Sequence, residues 1–135
     1  MSDQRTPDGG SAAPLDAALG LTRAPDDGTA AVLRLDPAPL ALGASEPVEY
    51  LHGGVLATCV DTAAWEAVVR VSNDTWVVAD MRIDFVKLAR NEPHRVSATA
   101  RKIGRAQAVA DVEITSWDDP SRLVALGRVL LAKVG

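Results

Sequence analysis

The chain has 135 residues, 47% hydrophobic and 24% charged, enough for one domain with a real core and too few for two ordinary ones. Its formal charge is −4 with no block of basic residues, which argues against nucleic acid as a partner because backbone binding relies on a basic face. A single cysteine excludes an intrachain disulfide and suits a reducing cytoplasm; with two distant histidines it makes no metal-ligand set, and no apolar run approaches the roughly 20 residues of a membrane span.

The opening MSDQRTPDGGSAAP lacks the basic head and apolar segment of a secretory signal. It reads as a disordered leader over residues 1–13, which leaves 14–135 as a single domain. LDAALG (15–20) suits a short helical turn ended by Gly20. TAAVLRL (29–35) is β-compatible and is the expected first strand, while Pro37, Pro39, Gly43 and Pro47 predict an irregular connection over 36–48. A helix is expected from about Gly53 to Val71, closed by Ser72, Asn73 and Asp74.

From residue 75 the period changes to two. In TWVVADMRIDFVK the side chains of Val77, Ala79, Met81, Ile83 and Phe85 alternate with Val78, Asp80, Arg82, Asp84 and Val86, the pattern of a half-buried strand. NEP interrupts it, and HRVSATARKI (94–103) follows with Val96, Ala98 and Ala100 on one face and His94 beside the turn, expected at the surface. Gly104 marks the next turn, before RAQAVADVEITSW (105–117) with Ala106, Ala108, Ala110, Val112 and Ile114 in alternation. DDPS is a strong turn signal, and RLVALGRVLLAKV (122–134) is the last strand. One strand, one long helix and four strands joined by short turns imply antiparallel neighbours. The expected architecture is α+β, a curved antiparallel β-sheet wrapped around one long central helix.

That helix raises the functional question. Val55, Leu56, Cys59, Val60, Ala63, Ala64, Ala67 and Val68 cover most of its surface, and Thr58, Asp61, Thr62, Trp65 and Glu66 form the remaining stripe. Asp61 is about two turns from either end, so it neither caps the helix nor complements its dipole, and aspartate is a mediocre interior helix former. At the start, His52-Gly53-Gly54 offers unpaired N–H groups without side chains in the way, a carbonyl-polarising site of the oxyanion-hole kind. Gly53 and Asp61 are eight residues apart, about 12 Å along the axis, too far for one small group to touch both. Two antiparallel helices across a two-fold axis would bring the glycine end of one to the aspartate of the other, so an obligate dimer with two composite sites is expected.

HGGVLATCVDTAA closely resembles the helix motif of hotdog-fold thioesterases of the phenylacetate-pathway and 4-hydroxybenzoyl-CoA group. The similarity continues through VVADMRIDFVKLAR (77–90) and ARKIGRAQAVADVEI (100–114), covering about residues 28–134. The resemblance implies a hotdog fold, homodimers that often pair into tetramers, and hydrolysis of acyl-CoA thioesters without metal or organic cofactor. By the same resemblance Asp61 is the nucleophile or the general base that activates water. Gly53, with Gly54, donates backbone N–H to the thioester oxygen, and His52 positions the carbonyl or shapes the loop. Thr62 and Trp65 on the stripe, with Val78 on the following strand, are the substrate-side candidates; Arg101, Lys102 and Arg105 are the candidates for the CoA phosphates. Two positions depart from the group: Glu46 stands where many relatives carry Asn or Gln, and Val78 where some carry serine. An ionised glutamate accepts hydrogen bonds and donates none.

The alternative reading is a non-catalytic acyl-CoA or small-ligand binding module on the same fold, favoured by Glu46 and Val78. The fold's hydratase branch would need an acid–histidine arrangement that the motif does not match. No G-x-S-x-G elbow or G-x-G-x-x-G pattern occurs.

Overall fold

The computed structural model describes residues 13–28, 30–44 and 49–135. The expected leader lies outside them except for Ala13, and so does Glu46. In chain order the elements are α1 (Pro14–Leu19), β1 (Leu21–Arg23), β2 (Ala31–Leu35), a 3-10 turn (Pro39–Ala41), β3 (Leu42–Ala44), β4 (Tyr50–Leu51), α2 (Gly53–Val69), β5 (Thr75–Phe85), β6 (His94–Ile103), β7 (Gln107–Ser116) and β8 (Leu123–Val134). Six strands make one sheet in the order β1-β2-β6-β7-β8-β5, every neighbouring pair antiparallel, and β3 and β4 form a separate hairpin. Helix α2 packs on β2, β5, β6, β7 and β8. This is the hotdog arrangement. Among the described residues no helix is long and apolar enough to cross a membrane.

The helix sits deep because its sequence lets it. All eight apolar positions expected to face the sheet are buried, from Val55 to Val68. Their small side chains permit close approach, and so does the sheet. At Gly127, in the middle of β8, an added Cβ would lie 2.7 Å from Cγ1 of Val60, which is itself fully buried. The site therefore rests on a helix clamped along its length.

Three local features differ from the sequence reading. First, Leu21–Arg23 pairs with Leu33–Leu35 as an additional edge strand, and the Pro-rich connection contains β3, which pairs with β4 just beyond it. Second, the alternation on β5 changes phase. Its register shifts between Val78 and Asp80 opposite Leu131 and Leu130, so one extra residue inverts the faces. Trp76 and Val78 face the core before the shift and Met81 and Ile83 after it, while Val77 is 47% exposed. Third, His94 is not at the surface. It begins β6 between Leu35 of β2 and Ser116 of β7 and is fully buried, because the turn precedes the strand and leaves the residue inside the ladder.

Two stability predictions follow from this packing. Gly127→Ala should lower the unfolding free energy by about 1–3 kcal/mol in denaturant titration, since Val60 has nowhere to go. Burial pushes the His94 pKa below its ordinary 6.5, so the fold accepts the neutral ring. The stability contributed there is complete above pH 6.5 and is lost as pH falls through the lower folded value. Melting temperature should therefore decline below pH 6.5, and the decline should be shallower in His94→Leu.

Candidate active site

Helix α2 begins at Gly53, with His52 as its N-cap. The His52 Nδ1 accepts the N–H of Gly54 at 2.9 Å, so the neutral ring carries its proton on Nε2. The two glycines consequently have different reasons to be glycine. A Cβ on Gly54 would lie 3.0 Å from that Nδ1 and crowd the cap. A Cβ on Gly53 would meet only ring carbons of Phe85, at 3.6 and 3.7 Å, which is ordinary contact. Gly53 has no positive φ either. Its N–H, in the first helical position, has no intrahelical acceptor. Packing does not require a bare backbone at Gly53; a ligand approaching that amide would.

Two turns on, the Asp61 side chain keeps an open face to solvent, yet the walls around it displace enough water to matter. Burial raises its pKa above the ordinary 3.8, and the negative charge of Asp16 raises it further. Asp61 opens into a cleft of about 430 Å³ whose walls include Asp16 of α1, Thr62 and Trp65 of α2, and Trp76 and Val78 of β5. The tryptophans are fixed: Nε1 of Trp65 donates to the Trp76 carbonyl at 3.1 Å, and Nε1 of Trp76 to Oγ of Ser72 at 3.0 Å. The Thr62 hydroxyl donates to both carboxylate oxygens of Asp16, at 2.9 and 3.1 Å. A smaller hollow of about 210 Å³, lined by His52 and Gly54, adjoins the cleft, since Leu15 and Thr58 line both. The two hollows thus lie side by side along α2, one at the cap and one at Asp61 and Trp65.

A model of the thioesterase superfamily matches residues 49–123, more than half of the chain. The chain belongs to the thioesterase superfamily. No curated protein matches it. Among solved structures it resembles a candidate esterase from Mycobacterium tuberculosis at 28% identity, covering 90% of this chain and 97% of that one, with a TM-score of 0.78. It also resembles the PaaI protein of the E. coli phenylacetic acid degradation operon (25% identity, 91% and 86% covered, TM-score 0.78) and AziG of S. sahachiroi (27%, 90% and 97%, 0.77). These relationships support thioester hydrolysis as the class of reaction.

On this superfamily frame Asp61, Thr62, Trp65 and Val78 come together in the cleft, and His52 and Gly54 in the adjoining hollow. The basic candidates do not join them within one chain. Arg101 pairs with Asp111 at 2.8 Å, and Lys102 and Arg105 line a separate hollow at the β6–β7 turn. Sequence reasoning gave no role to Asp16 or Glu66, both buried in the cleft wall. A signal for Asp16 existed: it lies three residues before the buried Leu19, on the same face of α1.

The glycine contrast predicts opposite stabilities. Gly53→Ala should leave the melting temperature unchanged or raise stability by up to about 1 kcal/mol through helix propensity. Gly54→Ala should lower stability by about 1 kcal/mol by disturbing the cap. Thermal and denaturant unfolding of the two variants measures the difference.

Proposed function

We propose that the protein hydrolyses acyl-CoA thioesters to the free acid and CoA, with residues 14–135 acting as one thioesterase domain and two copies forming the working unit. The observation that carries this reading is Asp61: a carboxylate of raised proton affinity, opening with Asp16 and Glu66 into a cleft on the same helix that presents the bare Gly53 amide. As general base Asp61 takes a proton from water, and the water oxygen attacks the thioester carbon. The carbonyl oxygen gains negative charge that the Gly53 N–H of a second copy stabilises. The tetrahedral intermediate then expels the CoA thiolate, which takes the proton back from Asp61. In the nucleophilic version Asp61 itself attacks, CoA thiolate leaves, and water opens the resulting anhydride. Both versions use the same groups.

A second copy is supported by the sheet. Strand β5 ends the sheet, runs 11 residues, and leaves Val77 47% and Phe85 58% exposed. A long edge strand that exposes large apolar side chains at Val77 and Phe85 is one that proteins ordinarily cover. Pairing of dimers into a tetramer is compatible with this arrangement. Trp65 and Val78 would wall the acyl group, His52 would hold the cap in shape, and Lys102 and Arg105 are the candidates for the CoA phosphates, with Arg101 already engaged by Asp111. Glu46 is assigned to the site by its place six residues before His52. A reducing cytoplasm suits the buried Cys59, whose thiol burial pushes up to about 12. The second reading, acyl-CoA binding without turnover, draws on Val78, which gives the cleft an apolar wall where a hydroxyl would assist water.

Turnover of benzoyl-, hexanoyl- and dodecanoyl-CoA by wild type and Asp61→Asn tests the proposal. The variant should lose at least about 100-fold in kcat. Because the raised folded pKa means that ionised Asp61 costs stability at neutral pH, Asp61→Asn should melt at the same temperature or higher. Retained turnover in a folded variant refutes the assignment; binding with no wild-type turnover selects the second reading.

A further inference from the structure

We propose that the second copy docks on β5 in one particular register, with Met81 on the two-fold axis and Asp80 of each chain opposite the partner's Arg82. This specifies the two-copy unit proposed above and rests on it, but not on the identity of the reaction.

In an antiparallel strand pair, residues directly opposite each other lie on the same face of the sheet. A two-fold axis between two identical strands therefore passes through one residue of each. Strand β5 offers such an edge, because it ends the sheet with β8 on its other side. The bulge sets its faces. Ala79 has no partner on β8, so Val78, Met81 and Ile83 pack on the core side while Asp80, Arg82 and Asp84 are exposed on the other. With Ala79 outside the ladder, Met81 is the middle position between Trp76 and Phe85. An axis there pairs the strand over that whole length.

Charge selects the same position. With Met81 on the axis, Asp80 meets the partner's Arg82 twice, once on each side. Oδ1 of Asp80 accepts the Met81 N–H at 2.9 Å, which holds the carboxylate beside the axis. Arg82 has freedom to turn toward it: its contact with Asp84 is long, 3.5 Å, and both side chains are largely exposed. Moving the axis one position toward Trp76 sets Asp80 against itself. Moving it one position toward Phe85 sets Arg82 against itself and Asp80 against Asp84. Two positions toward Phe85, Arg82 faces Asp84, but only Met81 to Phe85 remain paired. Two positions toward Trp76, Asp80 faces Val77 and Arg82 faces Thr75, which leaves both charges unmatched. One register satisfies length and charge together.

That register also serves the site. It places the partner's Phe85 opposite Trp76 and the partner's Ile83 opposite Val78, and Trp76 and Val78 wall the Asp61 cleft. Within one chain the Phe85 ring lies against Gly53, 3.6 Å from where a Cβ would stand. A pairing chosen by charge thus carries the Gly53 amide of one copy toward the Asp61 cleft of the other, with the Phe85 ring at its edge.

Charge reversal read by sedimentation equilibrium tests the register. At low ionic strength Asp80→Lys and Arg82→Glu should each weaken the dimer about tenfold or more, because each sets like charges opposite one another twice. Mixed in equal amounts, the two variants should form a hybrid dimer of near wild-type affinity, since every cross-strand pair is then oppositely charged. Met81→Cys gives a second readout should a charge variant misfold. Oxidised with diamide, it should form an intermolecular disulfide, as opposed Cα atoms lie about 4.5–5.5 Å apart, and Ile83→Cys should not. A wild-type dimer that both reversals leave unchanged overturns the proposal, as does a mixture without hybrid or cross-linking through Ile83→Cys instead of Met81→Cys. A monomeric wild type overturns it together with the two-copy unit; a dimer of another register that hydrolyses thioesters overturns it alone.

Discussion

The rigidity of α2 is the constraint on which the rest depends. Gly53 and Asp61 are eight positions apart on the helix, about 12 Å that no side-chain rotation can close. The helix cannot bend to shorten that span, because it is gripped by five strands and seated against Gly127. The same grip frees one stripe for polar residues. The fold thus provides an amide end and an acid on one helix, while keeping them too far apart to act on a single carbonyl in one chain. The proposed second copy, running the other way, would bring the two within reach of one carbonyl.

Electrostatics separates the carboxylate that suits chemistry from one that suits structure. On the sheet, Asp111 receives hydrogen bonds from Arg128 at 2.7 and 2.9 Å and from Arg101 at 2.8 Å. Those bonds, the Arg128 one foremost, lower its pKa to about 2, which ties up its lone pairs and leaves it a poor base. Asp61 has the opposite surroundings: partial burial first and the negative charge of Asp16 second, both of which raise its pKa. Displacement upward together with an opening to solvent is the combination expected of a working base.

How much of this was legible in the sequence depended on whether the physics was local. The buried face of α2 follows from its 3.6-residue period, and the inward faces of β6 and β7 from simple alternation; the helix ended at Val69 rather than Val71, within the ordinary fraying of a terminus. The β5 phase inversion was hidden, because an inserted residue is visible only against the partner strand. Burial of His94 was hidden for a related reason: proximity to a turn says nothing about which two strands flank the residue. The sequence put Gly53 first as amide donor with Gly54 beside it; the bond from the Gly54 N–H to the His52 ring, which leaves Gly53 as the bare amide, is not readable from residue order. Asp16 met Thr62 across 46 positions of sequence, a separation that no periodicity reports.

Subunit mixing tests most directly whether the amide end and the acid of α2 act across protomers. Gly53→Pro removes the amide proton at a helix position that tolerates proline, and Asp61→Asn removes the acid; each homodimer should be inactive. Mixed and re-associated in equal amounts, they should recover about a quarter of wild-type thioester hydrolysis, because half the dimers are hybrids and each hybrid holds one intact composite site. No recovery in a mixture proven to contain hybrid dimers would contradict the account.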